Sequence, residues 1–205
     1  DLLSNSFDGF TIVQISDLHN ACFGEDQKDL LAAISKQEPD IIVITGDLIN
    51  SDDQDMENAM NFIDGATAIA PVYFISGNHD LFTEDTCALR DQLIDAGVIV
   101  LENAITTIQN EDGDAFNLIG LSDANLADDT LSNLCAEIDN TDLTILLAHK
   151  PQFFEEYSGN DVDLVLSGHA HGGQIRLPFI GGVFAPEQGF FPKYTAGKYP
   201  FEDTT

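Results

Sequence analysis

Basic residues are scarce in this chain. Its 205 residues include seven lysines and arginines against 36 aspartates and glutamates, which gives a formal net charge of −29 at pH 7. A surface of this sign repels polyanions, so nonspecific binding to nucleic acid or to an anionic membrane face is disfavoured. Aspartate accounts for 25 of the acids, a composition compatible with a protein kept soluble in high salt and equally with engineered resurfacing.

Cysteine is also sparse, and its spacing is uninformative. Cys22, Cys87 and Cys135 are an odd number without any CxxC pair. This pattern supports neither a disulfide framework nor a cysteine-ligated zinc site. We expect all three to be small buried hydrophobic residues.

Long apolar segments are missing as well. No run approaches the roughly 20 residues of a membrane span, and no basic n-region of a signal peptide is present. The chain opens on Asp1 and enters a strand almost at once, which is compatible with an upstream targeting segment having been removed. Localisation therefore stays open between the cytoplasm and a membrane-associated or extracytoplasmic site. The length predicts a single domain over residues 1–205.

Apolar runs that end in polar residues recur along the first half of the chain. Strands are predicted at residues 11–16, 41–45 and 72–76, with amphipathic helices starting near residues 26 and 52. Runs that are apolar throughout are typical of a parallel sheet covered on both faces. The alternation predicts an α/β fold, whose ligands bind at the carboxyl ends of the strands.

The second half of the chain has a different pattern. After a helix over about 84–96, short strands are predicted at 98–101, 104–109 and 115–121, with a turn signal at Asp112-Gly113. They read as a meander that adds a second sheet. A helix at 129–138 and strands at 143–148 and 162–167 follow. The aromatic segment 177–199 is either an irregular edge that caps the core or an aromatic wall beside the site.

The five histidines of the chain all follow apolar strands. We expect one cluster of strand-end residues to form a functional site: Asp17, His19, Asp47, Asn78, His79, His149, His169 and His171. Each residue alone has an ordinary explanation as a helix cap, a turn residue or a surface histidine. Their joint placement is what predicts a functional site.

The residue types suit a pair of metal ions. Two ions about 3.5–4 Å apart need a shared anionic ligand, and such a pair can clamp the attacking and leaving oxygens of a displacement at phosphorus. Asp47, at the end of the central strand, is the candidate bridge. Oxygen and nitrogen ligands without thiolate favour Mn, Fe or Zn over Ca or a structural zinc.

The motifs DLH, GDL, GNHD, AHKP and GHAH, in this order, resemble the calcineurin-like metallophosphoesterase superfamily. The longer phrases FDGFTIVQISDLH, PDIIVITGDLI and LSGHAHGGQIRLPFIGG look most like its YkuE/YaeI-type phosphodiesterase branch, which is often membrane-associated or exported. The resemblance covers essentially the whole chain. It implies a four-layer α/β/β/α sandwich with two mixed sheets and a dinuclear metal centre.

The resemblance also implies a role for each residue. One metal would be held by Asp17, His19, Asp47 and His171, and the second by Asp47, Asn78, His149 and His169. His79, oriented by Asp80, would contact the phosphate or protonate the leaving group. The nucleophile would be a metal-bridging hydroxide that attacks phosphorus in line.

We therefore predict a metal-dependent phosphoester hydrolase, with diesters preferred over monoesters and a small substrate that carries an apolar part. The alternatives are a pyrophosphatase acting on a nucleotide-linked lipid, a nuclease, and a noncatalytic scaffold. Lys150 and Arg176 are candidates for substrate phosphate, with surface ion pairs as the alternative. Membrane association of the full-length protein is compatible with the resemblance, whereas the oligomeric state is left open.

Overall fold

The structure is a computed structural model that describes residues 7–52, 55–82, 86–110, 113–123, 129–138, 143–201 and 204–205. Two features predicted from the sequence lie partly outside these ranges. They are the start of the helix at Glu84 and the Asp112 position of the turn signal.

The first sheet has the order β1-β2-β3-β4. Its strands are β1 (Ile12–Ile15), β2 (Ile41–Thr45), β3 (Val72–Ile75) and β4 (Ile99–Val100). All three pairings between them are parallel. Every residue of β2 and β3 is buried, as expected for apolar strands in the middle of a sheet covered on both faces.

Helices cover the outer face of this sheet. They are α1 (Lys28–Ser35), α2 (Glu57–Thr67) and α4 (Thr86–Asp95), and a one-turn helix α3 (Asn78–Leu81) follows β3. Helix α2 buries Ala59, Phe62, Ile63 and Ala66, a spacing that places all four on one side of the helix. These side chains share one core cluster with Ile42, Ile44 and Phe74 of the sheet.

The second sheet has the order β5-β6-β7-β8, formed by β5 (Ala104–Gln109), β6 (Ala115–Leu121), β7 (Thr144–Ala148) and β8 (Leu164–Leu166). Strands β5 and β6 pair antiparallel, and the other two pairs are parallel. A second core cluster joins Val43 and Ile75 of the first sheet to Leu118 and Ile145 of the second. The short helices α5 (Thr130–Cys135) and α6 (Phe154–Ser158) supply residues to a third cluster on the outer face.

The layers are thus helix, sheet, sheet and helix, and the predicted α/β fold is confirmed. Two details differ from the prediction. Mixed strand directions occur in the second sheet, whereas the described strands of the first are all parallel. The segment predicted at 98–101 belongs to the first sheet, because helix α4 returns the chain beside β3, where Ile99 pairs with Tyr73. The single-domain prediction for 1–205 stays a prediction.

A small third sheet follows β8. Strands β9 (Ile175–Leu177), β10 (Gly181–Ala185) and β11 (Gly189–Phe190) pair antiparallel in the order β11-β10-β9. The segment that was predicted as an irregular edge or an aromatic wall is therefore partly regular. It forms two consecutive β-hairpins, which together are called the hairpin β9–β11. Several of its large apolar side chains are exposed.

The prediction of three buried cysteines is wrong. Cys22 and Cys87 are exposed, and Cys135 is half-buried. Cys22 lies in the loop after β1, and Cys87 lies in the first turn of α4, positions at which the core does not require a small apolar side chain. Among the described residues, no helix combines the length and the hydropathy needed to cross a bilayer.

Candidate metal centre

The predicted site residues come together where five strands end. Asp17 follows β1, Asp47 follows β2 and Asn78 follows β3, while His149 follows β7 and His169 follows β8. The parallel strands of both sheets end on the same side of the molecule, so these loops face one another. Residues separated by more than 150 positions, such as Asp17 and His171, thereby come into contact.

A first group of possible ligands combines Asp17, His19, Asp47 and His171, with ligand atoms that all lie within 4.8 Å of one another. Nε2 of His19 lies 3.3 Å from Nε2 of His171 and 3.6 Å from Oδ2 of Asp47. Nε2 of His171 lies 3.4 Å from Oδ1 of Asp17. The two imidazole rings are stacked, with their centroids 5.0 Å apart.

A second group combines Asp47, His149 and His169 under the same distance limit. Nε2 of His149 lies 3.2 Å from Oδ2 of Asp47 and 3.3 Å from Nδ1 of His169. All three side chains are almost fully buried. Because Asp47 is common to both groups, one carboxylate joins two sets of convergent ligands.

The Asp47 carboxylate is held from several sides. Its Oδ1 accepts a hydrogen bond of 2.8 Å from the backbone N–H of His79. Burial would raise the pKa of Asp47, but the hydrogen bond and charge of His149 outweigh it and lower that pKa below its ordinary value. Burial likewise opposes charge on His149, yet Asp47 raises the pKa of His149 to about 9.

Two of the remaining pKa values of the site shift downward. Burial lowers the pKa of His169 to about 4, and the neighbouring His149 adds to this effect. Burial also lowers the pKa of His19, although Asp47 opposes it. Both imidazoles are therefore favoured in the neutral form, which is the form that binds a metal.

The donor set fits metal ions. Nδ1 of His149 donates to the carbonyl of Thr45 at 2.7 Å, which orients Nε2 toward the second group, as is usual for metal-binding histidines. Oδ1 of Asn78 and Nε2 of His169 are buried, and neither has a hydrogen-bond partner among the described residues. A buried amide oxygen without a donor is costly unless a cation or a water satisfies it. The residues thus offer oxygen and imidazole ligands without thiolate.

The backbone around the site is strained. Five of the predicted ligands have a positive φ: Asp17 at 55°, His19 at 48°, Asp47 at 53°, His169 at 63° and His171 at 49°. Non-glycine residues rarely adopt this region, and each instance costs on the order of 1 kcal/mol or more. Strain of this kind often occurs at active sites and ligand sites, although other described residues of this chain, such as Gln27 and Phe179, also have a positive φ.

Close packing explains two glycines in the predicted motifs. A Cβ on Gly77 would lie 2.3 Å from Oδ1 of Asp47, and a Cβ on Gly168 would lie 1.8 Å from Oγ of Ser16. Neither glycine has a positive φ, so these positions require glycine for space. The strands can therefore end close enough for their ligands to converge.

His79 lies beside the first group, with its ring 4.7 Å from that of His19. Its Nδ1 accepts a hydrogen bond of 3.3 Å from the backbone N–H of Ser51, and Oγ of Ser51 is 3.0 Å from the same nitrogen. A ring nitrogen that accepts carries no proton, so the neutral imidazole holds its proton on Nε2. Ser51 was not singled out from the sequence, because an isolated serine in a loop carries no signal.

The expectation that Asp80 orients the imidazole of His79 needs correction. The buried carboxylate of Asp80 accepts hydrogen bonds from the backbone N–H groups of Asp47, Gly77 and Ile49. Burial raises the pKa of Asp80 to about 7, and these donors oppose the rise. Asp80 therefore ties the GDL and GNHD loops together, whereas Ser51 contacts the ring of His79.

The side chains of Lys150 and Arg176 lie near the centre, and each of them is already engaged by other groups of the protein. Nζ of Lys150 is 3.2 Å from Oδ2 of Asp123 and 3.0 Å from Oε1 of Glu187, so this lysine is held by two carboxylates. The guanidinium of Arg176 donates to the carbonyl of Gly172 and is exposed. Their roles toward substrate stay predictions.

Glu187 was missed by the sequence analysis. Its Oε1 lies 3.9 Å from the unpartnered Nε2 of His169. The residue sits in the turn between β10 and β11, and packing rather than any local pattern brings it to the site. A carboxylate at this place can fix the orientation of the His169 ring when Nδ1 binds a metal.

Comparison with known proteins agrees with the site. Residues 10–173 match the family model described as Calcineurin-like phosphoesterase. The chain is 33% identical over 202 residues to the uncharacterized metallophosphoesterase YkuE of Bacillus subtilis, covering 97% of this chain and 70% of that protein. It is 32% identical over 200 residues to phosphodiesterase YaeI of Escherichia coli, covering 94% and 71%.

A third relative is the transmembrane protein with metallophosphoesterase domain of Bos taurus, 31% identical over 220 residues. That match covers 95% of this chain and 50% of the bovine protein. The crystal structure of TT1561 of Thermus thermophilus has the same fold, with a TM-score of 0.54 at 14% identity, covering 76% of this chain and 80% of that one. From the family match and the identity to these relatives, the chain belongs to the calcineurin-like phosphoesterase family and is a metal-dependent phosphoesterase.

Proposed function

We propose that this protein is a dinuclear metal-dependent phosphodiesterase. The observation that carries the proposal is the position of Asp47, whose carboxylate belongs to both groups of convergent ligands. Asp17, His19 and His171 would complete the first site, and Asn78, His149 and His169 the second. When bound, two ions of the Mn, Fe or Zn type supply positive charge for phosphoryl oxygens and lower the pKa of water toward neutrality.

The residues around the centre support binding and orientation of a phosphoester. The imidazoles of His19 and His169 are favoured as neutral ligands by burial. Asp47 and Asp17 supply only two carboxylates to the two groups. Two divalent ions held by this set would keep a net positive charge, and a phosphate dianion or diester anion would offset it.

His79 is the proposed proton donor to the leaving group. Its Nδ1 accepts from the backbone N–H of Ser51, so the neutral ring presents Nε2–H as a hydrogen-bond donor to the departing alkoxide oxygen. Full transfer of a proton would start from the imidazolium form, whose proton on Nδ1 can be donated to Oγ of Ser51. The neighbouring ring of His19, at 4.7 Å, places this imidazole at the first group. An alkoxide needs such a proton more than a phenolate does, so His79 would matter most for phosphoesters of aliphatic alcohols.

The proposed diester preference rests on similarity to a relative that is named a phosphodiesterase. Turnover of bis(p-nitrophenyl) phosphate and of p-nitrophenyl phosphate, each with added Mn, tests it. We expect a higher kcat/KM for the diester. Equal or better turnover of the monoester would overturn the preference but would leave the phosphoesterase activity in place.

A substrate with an apolar part is the second element of the proposal. The hairpin β9–β11 places exposed apolar side chains in the same segment as Glu187, which contacts the centre. A lipid-linked phosphoester or pyrophosphate would match this arrangement. Comparison of a short-chain and a long-chain phosphodiester with the same leaving group tests it, since a lower KM for the long-chain compound is expected.

A further inference from the structure

The hairpin formed by β9, β10 and β11 exposes one apolar side. Ile175 pairs directly with Phe184, and Phe184 pairs directly with Phe190. Directly paired residues lie on the same face of a sheet, and Leu177 joins them two positions from Ile175. The rings of Phe184 and Phe190 are 5.5 Å apart, which agrees with this placement.

The turn at the tip of the hairpin extends this apolar surface. Phe179 and Ile180 connect β9 to β10, and they are 109% and 64% exposed. We call the whole surface the apolar hairpin face, which comprises Ile175, Leu177, Phe179, Ile180, Phe184 and Phe190. Surface patches of this kind in a soluble domain mark a place of interaction.

The charge around the apolar hairpin face differs from that of the rest of the protein. Residues 164–201 contain one acid, Glu187, and three of the seven basic residues, Arg176, Lys193 and Lys198. The remaining residues carry 35 acids and four basic residues. Glu187 is engaged by Lys150 at 3.0 Å. The segment that forms the apolar hairpin face therefore contributes almost no carboxylates of its own, in an otherwise acidic protein.

We propose that the apolar hairpin face docks on the surface of a lipid bilayer, with Phe179 and Ile180 inserted among the lipids. A projecting turn with a fully exposed phenylalanine inserts without needing a matching cavity, whereas a protein partner would have to supply one. Carboxylates are expensive to bring into the interface, and none of the six residues of the apolar hairpin face carries one. The remaining acidic surface is repelled by anionic lipid, so a zwitterionic bilayer is the fitting partner.

Docking in this manner would orient the metal centre. The other end of β10 leads to Glu187, which lies 3.9 Å from His169. The five residues of β10 span about 16 Å at the usual rise of a strand. Docking through the tip would thus hold the metal centre roughly one strand length from the lipids. This last consequence rests on the proposed function, whereas the docking itself does not.

Vesicle flotation tests the docking surface. The full chain is mixed with phosphatidylcholine vesicles at 0.15 M and at 1 M NaCl, and the floated fraction is measured. We expect the wild type to float at both salt concentrations, because apolar insertion is not screened by salt. The double variant Phe179→Ser/Ile180→Ser should bind at least about tenfold more weakly, since each lost apolar side chain removes buried area.

A matched control is available at the end of α3 and on α4. Phe82 and Ile94 are also exposed, so Phe82→Ser/Ile94→Ser makes the same chemical change elsewhere, and its binding should stay within about twofold of the wild type. Thermal unfolding of both variants shows whether each one is folded. Equal flotation of the wild type and the tip variant would overturn the proposal.

Three further outcomes also count against bilayer docking. One is a wild type that does not float with phosphatidylcholine. Another is flotation that requires phosphatidylglycerol and disappears at 1 M NaCl, because the basic residues alone would then explain it. The third is a wild-type dimer that Phe179→Ser/Ile180→Ser converts to a monomer in sedimentation velocity.

Turnover of soluble bis(p-nitrophenyl) phosphate by the wild type tests the proposed function separately, since flotation needs no catalysis.

Discussion

Oδ2 of Asp47 lies 3.2 Å from Nε2 of His149, and both side chains are almost completely buried. This contact joins the end of β2 in the first sheet to the end of β7 in the second. Asp47 lowers the free energy of the protonated imidazole, and His149 lowers that of the carboxylate. A metal ion between them would take the place of that proton.

Asp47→Ala should abolish binding of both metals, because the carboxylate belongs to both ligand groups. We expect metal analysis by mass spectrometry to fall from about two ions to below 0.5 and activity to drop by at least about 10², since even residues behind the ligands contribute that much. Asp64→Ala, an exposed acid on α2, is the control and should change neither value. Retention of one full equivalent of metal would contradict the bridging role.

Metal affinity should increase with pH between about 7 and 9. The pKa of His149 is raised to about 9, so a metal ion has to displace its proton at lower pH, and the affinity rises by up to roughly tenfold per pH unit in this range. Titration calorimetry with Mn in two buffers of different ionisation enthalpy checks this through the number of protons released. Release of no proton at pH 7 would contradict it.

The stability of the metal-free protein should change in the opposite direction. Because the folded pKa of His149 lies above its unfolded value of 6.5, the stabilisation from this pair is complete below pH 6.5 and is lost as the pH rises through 9. The pKa of Asp80 is raised from 3.8 to about 7, so this residue also makes the stability fall as the pH rises from 3.8 to 7. Thermal unfolding in EDTA should show a falling Tm from pH 6.5 to 9, and a rising Tm would refute the assignment.

His79→Ala should keep both metals and lose catalysis. General acid–base groups contribute about 10² to 10⁴ to kcat, and the ring contacts Ser51 and His19 rather than completing either ligand group. Metal content and kcat measured on the same sample check this. Loss of a metal ion from this variant would show that the imidazole is a ligand instead.

Ser51→Ala should lower kcat less than His79→Ala does, by about tenfold or less, because it removes the hydroxyl contact to Nδ1 but leaves the backbone N–H donor in place. Ser51→Thr, which restores the hydroxyl, should recover most of the loss. KM should stay within about twofold in both variants. An equal loss in the alanine and threonine variants would indicate a structural role.

The sequence was sufficient to identify the strand-end residues, because each one directly follows an apolar run. Asp17, Asp47 and His149 are examples, and the structure brings them together as the parallel strands require. Local patterns could not show Ser51 or Glu187, since both reach the centre through packing of distant loops. The pairing of Ile99 with Tyr73 was missed for the same reason: a two-residue strand has too little pattern to indicate its sheet.

The backbone strain at the centre was also invisible in the sequence. Aspartate and histidine adopt a positive φ several-fold more often than most residues, but this tendency alone does not predict five such residues in one site. The strain depends on the hydrogen bonds that hold the loops, such as those from the backbone N–H of His169 to both carboxylate oxygens of Asp17 at 3.0 and 3.1 Å. Those contacts exist only once both sheets have assembled.

Gly77→Ala tests whether close packing of the loops positions the ligands. The new Cβ would lie 2.3 Å from Oδ1 of Asp47 and 2.8 Å from Cε1 of His149, so the carboxylate or the ring has to move. We expect a loss of about 1–3 kcal/mol in the free energy of unfolding and at least about tenfold weaker Mn binding.

The control for this variant is Gly159→Ala. Gly159 has a φ of −74°, and a Cβ there would lie no closer than 3.5 Å to its nearest neighbour, the carbonyl of Glu156. This substitution should leave Mn affinity unchanged. If Gly77→Ala lowers stability without weakening Mn binding, the displaced atoms are not ligands, because a shift of the Asp47 carboxylate by even a few tenths of an ångström would alter both ligand groups at once.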